Sequence, residues 1–426
     1  MDFRYIVEKY AKNYEIYVYK ARNIEANAEV DEFKSATRDY IEGIGIRIFD
    51  RCVGYAYTNS LDVEDVEYAA RKAAKMAKIS EEDYHIPENL GKRDVRTFST
   101  EDFFVEDAIY HLTEMMNAAR EANPFVRIDS ASFSASIGER ELITPTENFS
   151  EKFSHFSYVI LGMEVKNEVA GSFNIEMGGT LDFKSINTRE VGFALGESVK
   201  DTSYASKIDS FVGDAVFSPL FFYEIFIECL LNNVNGLNII SGSSVLKDKR
   251  GEKILGNISV EDNPLIDYMT SSYSFDREGV EPKRKYIVEN GVLKTFLHNT
   301  KTSYVLGEKS TGNAAGGFRN PPIVGSGNII VYGEEEKLEN IIGNIKRGLL
   351  INRISGEVKI NGDFSGAVKC SFLVEDGEIK KPIKNVQIYG NIFSLLKEDV
   401  VVSMERKNFG GAIVPYVAVR NIKVIS

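Results

Sequence analysis

Residues Pro219 to Leu231 form a nearly continuous apolar run, broken only by Glu224 and Glu228. The run is far shorter than the roughly 20 apolar residues of a membrane span. It is also too apolar to lie on a surface, so it reads as a mostly buried helix, and the rest of the chain must build a core around it. A chain of 426 residues has the length for two or three domains and a core of that size.

Most of what surrounds this run alternates apolar and polar residues, the mark of half-buried strands. Glu15–Tyr19, Glu29–Ala36, Gly43–Phe49 and Cys52–Asn59 read this way, with a hairpin turn at Asp50 and Arg51. Further strands are expected at Val126–Ile137, Glu141–Pro145, Phe153–Glu168, Ser172–Asp182 and Ala412–Ile425. Asn290-Gly291 and Asp376-Gly377, each between apolar runs, predict hairpins. Helices are expected at Tyr5–Asn13, Val105–Ala122, Glu190–Asp201 and Glu335–Leu350. Another spans Asp62–Lys78, with Val66, Ala69, Ala70, Ala73 and Ala77 on one face. There is no regular alternation of strand and helix, so the class is α+β. The N-terminal α/β segments hold antiparallel strands and amphipathic helices. A strand-rich, barrel-like C-terminal domain with the buried helix follows. The divisions fall at 1–80, a charged linker at 81–104, a second α/β subdomain at 105–210, and the C-terminal domain at 211–426.

Several chemistries are excluded or disfavoured. A formal charge of −12 argues against nucleic acid as a partner, because a duplex favours a basic patch. Cys52, Cys229 and Cys370 lie far apart and form no CxxC pair, so they read as small core residues in a reducing compartment. The first residues carry no signal-peptide run and no segment reaches membrane length, which predicts a cytoplasmic protein with no membrane contact. No phosphate loop, dinucleotide fingerprint or nucleophile elbow occurs. Gly43 and Gly45 sit in a strand pattern and read as packing features. Of the four histidines, His85, His111, His155 and His298, none has another within one helical turn, so no HExxH zinc helix can form.

Two residues remain as candidates for chemistry. His298 stands in the stretch Leu293 to Lys301 and would need a metal or carboxylate partner to act. Glu228 interrupts the apolar run. It either joins Glu224, one turn earlier, in an exposed stripe, or is buried against a cation.

The C-terminal half resembles the TldD/PmbA family, also called modulator of DNA gyrase or peptidase family U62. Phe275–Val280 is similar to its FDDEG element, and Glu289–Asn299 to its ENGVLKTFLHN element. Ser310–Asn313, Lys346–Leu350, Asn361–Ser365, Val374–Ile379 and Ile388–Asn391 resemble later elements in the same order. Gly45–Phe49 and Val53–Thr58 extend the likeness towards the N-terminus. The family's catalytic branch binds zinc through HExxxH and a later cysteine. The resemblance places Ile227, Glu228 and Asn232 where HExxxH would fall, and Ser355–Val358 supplies no cysteine. Isoleucine cannot bind zinc and asparagine binds it poorly.

The resemblance therefore implies the PmbA/TldE-like branch, with no metal, cofactor or catalytic residue of its own. It implies a zinc-bearing TldD-type partner, a metalloprotease heterodimer, and an extended polypeptide as substrate. Two alternatives stand beside it. One is an autonomous peptidase with an unrecognised site around Glu228 and His298. The other is a non-enzymatic binding or modulator protein acting as a homodimer.

Overall fold

Two long hairpins lay down the first sheet. The structure, a computed structural model, describes residues 3–80, 85–398 and 400–426. Strand β1 (Asn13–Glu29) turns at Val30 and Asp31, both with positive φ, into β2 (Glu32–Phe49). The expected strand Glu29–Ala36 is cut by this turn, and from Glu32 a single strand runs on through Gly43–Phe49 without the expected break. A turn at Asp50 and Arg51 leads to β3 (Val53–Thr58), as expected. The second hairpin joins β4 (Val126–Ile143) to β5 (Asn148–Lys166), and β6 (Asn174–Thr180) follows. The order is β3-β2-β1-β4-β5-β6, antiparallel throughout, so the first and second segments share one sheet. β3 pairs with β2 only from Ile44 onward, which leaves the edge of β2 before that point bare. Of the expected linker, residues 81–84 lie outside the described residues, and 85–104 hold no helix or strand apart from a bridge at Leu90.

Three helices pack on one face of this sheet. Helix α1 (Val63–Ile79) buries Val66, Ala69, Ala70, Ala73 and Ala77 against β2 and β3, the face its periodicity predicts. The alanines permit close approach: a Cβ on Gly54 of β3 would stand 1.9 Å from the Ala73 carbonyl oxygen. Helix α2 (Val105–Ala122) covers the other end of β1 and β4 and packs on α3 (Thr188–Ser198). The opposite face meets the C-terminal half, where Phe275 and Phe318 join Tyr17, Leu142 and Phe149.

The C-terminal half is a mixed sheet wrapped on one helix. Ala412–Ile425 runs antiparallel to Phe211–Phe217 and parallel to Asn328–Tyr332. The main path runs from Val292–Leu293 at one edge to Glu378–Pro382 at the other. Those edges do not pair, so the α+β class holds but the sheets do not close into a barrel. The hairpins at Asn290-Gly291 and Asp376-Gly377 form as expected, with positive φ at all four residues. The helix expected over Glu335–Leu350 is replaced by a short helix at Leu338–Gly343 and a strand at Arg347–Ile351. That strand buries Leu349 and Ile351 by pairing in parallel with Phe211–Phe217, a gain that local sequence does not display. Among the described residues no helix is long and apolar enough to cross a membrane.

Candidate functional site

The apolar run forms helix α4 (219–234), with Ser218 as its N-cap and Pro219 in its first turn. The cap oxygen accepts from the Phe221 amide, and proline loses nothing at a position whose N–H is unpaired anyway. Phe221, Phe222, Ile225, Phe226, Ile227 and Leu230 are buried in the largest core cluster. These side chains are consumed within the chain and offer no surface to a partner. Tyr223–Ile227 winds as a π-turn, with α-helical turns before and after it. Such turns often accompany functional sites.

Glu224, Glu228 and Asn232, at four-residue spacing, form the helix's polar stripe. Glu228 is exposed, as the stripe reading predicts, and the Asn232 side chain donates to its carbonyl at 3.0 Å. Glu224 is half-buried, with Arg353 Nε at 3.8 Å from its carboxylate. Burial raises its pKa, the Arg353 charge opposes the rise, and Glu228 adds to it. Partial burial also raises that of Glu228. Ile227, one residue before Glu228, points into the core instead. The HExxxH positions thus split between the interior and the solvent.

The residues present do not fit a zinc site. A structural or catalytic zinc wants three or four convergent nitrogen, sulfur or carboxylate ligands. Here the stripe offers carboxylates and an amide, Ile227 offers nothing, and no group of three or more His, Cys, Asp or Glu is placed to hold a metal among the described residues. Cys229 faces away, its Sγ 3.6 Å from the Lys359 and Ile360 carbonyl oxygens. Burial pushes its thiol up to about 11, so it stays protonated.

His298 is fully buried and does not meet Glu228. Its Nδ1 lies 3.3 Å from Thr302 Oγ1 and its Nε2 3.4 Å from Glu308, which also binds Arg250. Gly236, just past α4, lies against the ring; a Cβ there would come within 2.5 Å of Nδ1. Burial lowers the His298 pKa, while Glu308 pulls it up and Arg250 pushes it down. A histidine with a depressed folded value binds its proton better in the unfolded chain. Its effect on stability is therefore unfavourable once pH falls through the unfolded value of about 6.5. The urea midpoint of the protein should drop between pH 7 and about 5.5. His298→Gln should lose that share of the drop, and identical pH slopes in the two proteins would refute the assignment.

A buried cluster of charges forms a second site that was not anticipated. Asp276, Arg277 and Glu278, known from sequence only as a family-like element, are all buried where the C-terminal half meets the first sheet. Arg47 of β2 donates to Glu15 at 3.0 Å and to Glu278 at 2.7 Å. The other Glu278 oxygen accepts from the Thr300 amide, at the start of the short helix after His298. Asp276 accepts from the amides of Glu278, Val280 and Ala314. Burial, followed by the Glu278 charge, lifts Asp276 to about 7. Arg277 lies over the Tyr17 ring at 3.7 Å. The available signal was three consecutive charges bracketed by Phe275 and Gly279-Val280.

Residues 212–426 match the PmbA/TldA metallopeptidase C-terminal domain, and residues 14–77 match domain 1 of that family. An uncharacterized protein of Methanocaldococcus jannaschii is 29% identical over 93% of this chain and 92% of its own length. A metalloprotease of Methanothermobacter thermautotrophicus is 32% identical over 52% of this chain and 50% of its own. The crystal structure of TldE from Thermococcus kodakarensis matches with a TM-score of 0.90 at 25% identity, covering 99% of this chain and 98% of that one.

Proposed function

The chain belongs to the PmbA/TldD metallopeptidase family, and from that premise we propose that it is the zinc-free, PmbA/TldE-like subunit of a two-chain metalloprotease acting on extended polypeptides. The observation that carries this reading is the split of the HExxxH positions: Ile227 is sealed in the core while Asn232 and Glu228 face solvent. The likeness to TldE over nearly the whole chain supports it. In a TldD-type partner, zinc would supply the activated water. This chain's part is to hold its half of the assembly and present main-chain groups to an extended substrate, a mode that needs little sequence specificity.

Two measurements test this. Elemental analysis of the dialysed chain should find no stoichiometric zinc; about one zinc per chain would sink the proposal. Glu228→Gln, at an exposed site, should shift stability by less than roughly 0.5 kcal/mol. In an assay reconstituted with a zinc-bearing TldD-type subunit, it should leave peptide turnover intact. Lost turnover with unchanged melting and assembly would move the chemistry into this chain.

A further inference from the structure

Residues 32–42 of β2 leave a bare sheet edge. Residues 32–42 pair with β1 on one side only, and β3 begins its pairing at Ile44. All of these residues are exposed except Ala36 and Ile41, which are partly buried. Every second residue therefore turns its N–H and C=O to solvent, the arrangement that recruits another strand. No proline interrupts the segment. The one irregularity in its pairing lies near the hairpin, where β1 shifts register between Asn27 and Ala28, so the stretch from Ser35 onward is regular.

The side chains say which strand fits. Arg38, Tyr40 and Glu42 share one face, since alternate residues do. Tyr40 is 71% exposed, the largest exposure of any large apolar or aromatic side chain described. The Arg38 guanidinium lies 5.7 Å from the Tyr40 ring. Neither Arg38 nor Glu42 has an ion-pair partner among the described residues. Laid antiparallel on a second copy with Tyr40 opposite Tyr40, this face becomes self-complementary. Arg38 of each copy then stands opposite Glu42 of the other, twice over, on either side of the paired tyrosines. Shifting the centre to Arg38 or Asp39 would instead set like charges face to face, which disfavours a pair. The same face opens beside a cavity of about 420 Å³ lined by Lys20, Arg22, Tyr40 and Glu42.

We propose that residues 37–43 of β2 pair antiparallel, about a two-fold axis through Tyr40, with the same segment of a second copy, making one continuous sheet across two chains. The contact is isologous, as two-fold interfaces are. It is independent of any zinc-bearing partner and is tested without one. A seven-residue strand pair is small beside standard interfaces, so the association is reversible and concentration-dependent.

Sedimentation of the full chain should show the mass of two chains rising with concentration. Arg38→Glu alone and Glu42→Arg alone should each weaken self-association by roughly tenfold or more, because each sets like charges opposite one another twice. An equimolar mixture of the two variants should associate again, since each then faces its opposite. Both sites are on the surface, and unchanged melting temperatures verify folding. A wild-type chain that remains monomeric throughout overturns the proposal. So does a dimer indifferent to both substitutions, or a mixture that fails to associate.

Discussion

Arg47→Met should destabilise the protein by about 3–5 kcal/mol, although it removes only a single charge. The side chains of Arg47, Glu15 and Glu278 are 9%, 3% and 0% exposed. Burial pushes the Glu15 carboxyl up, against the pull of the Arg47 guanidinium. With the guanidinium gone, two carboxylates face each other away from water. The cost lies in that leftover charge, not in the loss of a favourable pair. Two controls separate these. Adding Glu15→Gln and Glu278→Gln to the variant should recover most of the loss. The deficit should also shrink as pH falls from 7 towards about 5. The sign follows from the raised Glu15 carboxyl: the folded variant takes up a proton that the unfolded chain, with glutamates near 4.3, does not yet bind. Urea unfolding at several pH values measures both. A deficit constant with pH would show that the loss is one of packing.

Phe226→Ala should cost a similar amount, about 3–5 kcal/mol, for a different reason. Phe226 is fully buried within the π-turn, its ring centroid 4.9 Å from that of Phe222 and 6.5 Å from that of Phe393. Truncation removes the transfer energy of the ring and leaves a cavity among walls set by an irregular turn. Phe226→Leu fills more of that space and should cost clearly less. The comparison is a urea or thermal titration of the two variants. Equal losses would mean that ring contact with Phe393, not volume, matters.

Much of the local structure could be read from the chain. Asn290-Gly291 and Asp376-Gly377 specify their turns because both residues of each pair tolerate positive φ. The alanine face of α1 and the apolar length of α4 specify burial. What escaped depends on partners distant in sequence. Val30-Asp31 adopts positive φ without the usual glycine, so no local residue marks the first hairpin, and the strand expected at Glu29–Ala36 crosses it. Arg347–Ile351 became a strand because Phe211–Phe217 was available beside it. Whether the sheet closes depends on which edges meet, and no local pattern records that. At the site, the polar stripe of Glu224 and Glu228 was legible from their spacing. The π-turn at Tyr223–Ile227 is announced by no periodicity. The ion pair of Arg47 with Glu278 spans 231 positions.

The strand order of the first sheet also bears on how the chain is made. β1 lies between β2 and β4, yet β4 comes last of the three in sequence. On the ribosome, the β1–β2 hairpin emerges with one long flank of β1 unpaired, and waits for Val126–Ile143 to follow. At about 5–20 residues per second that wait lasts roughly ten seconds. During it, the nascent chain shows two open flanks, the temporary one on β1 and the lasting one on β2. Lys20, Arg22 and Glu25 on β1 set charge along the temporary flank, a placement that deters neighbouring nascent chains from pairing there before β4 arrives.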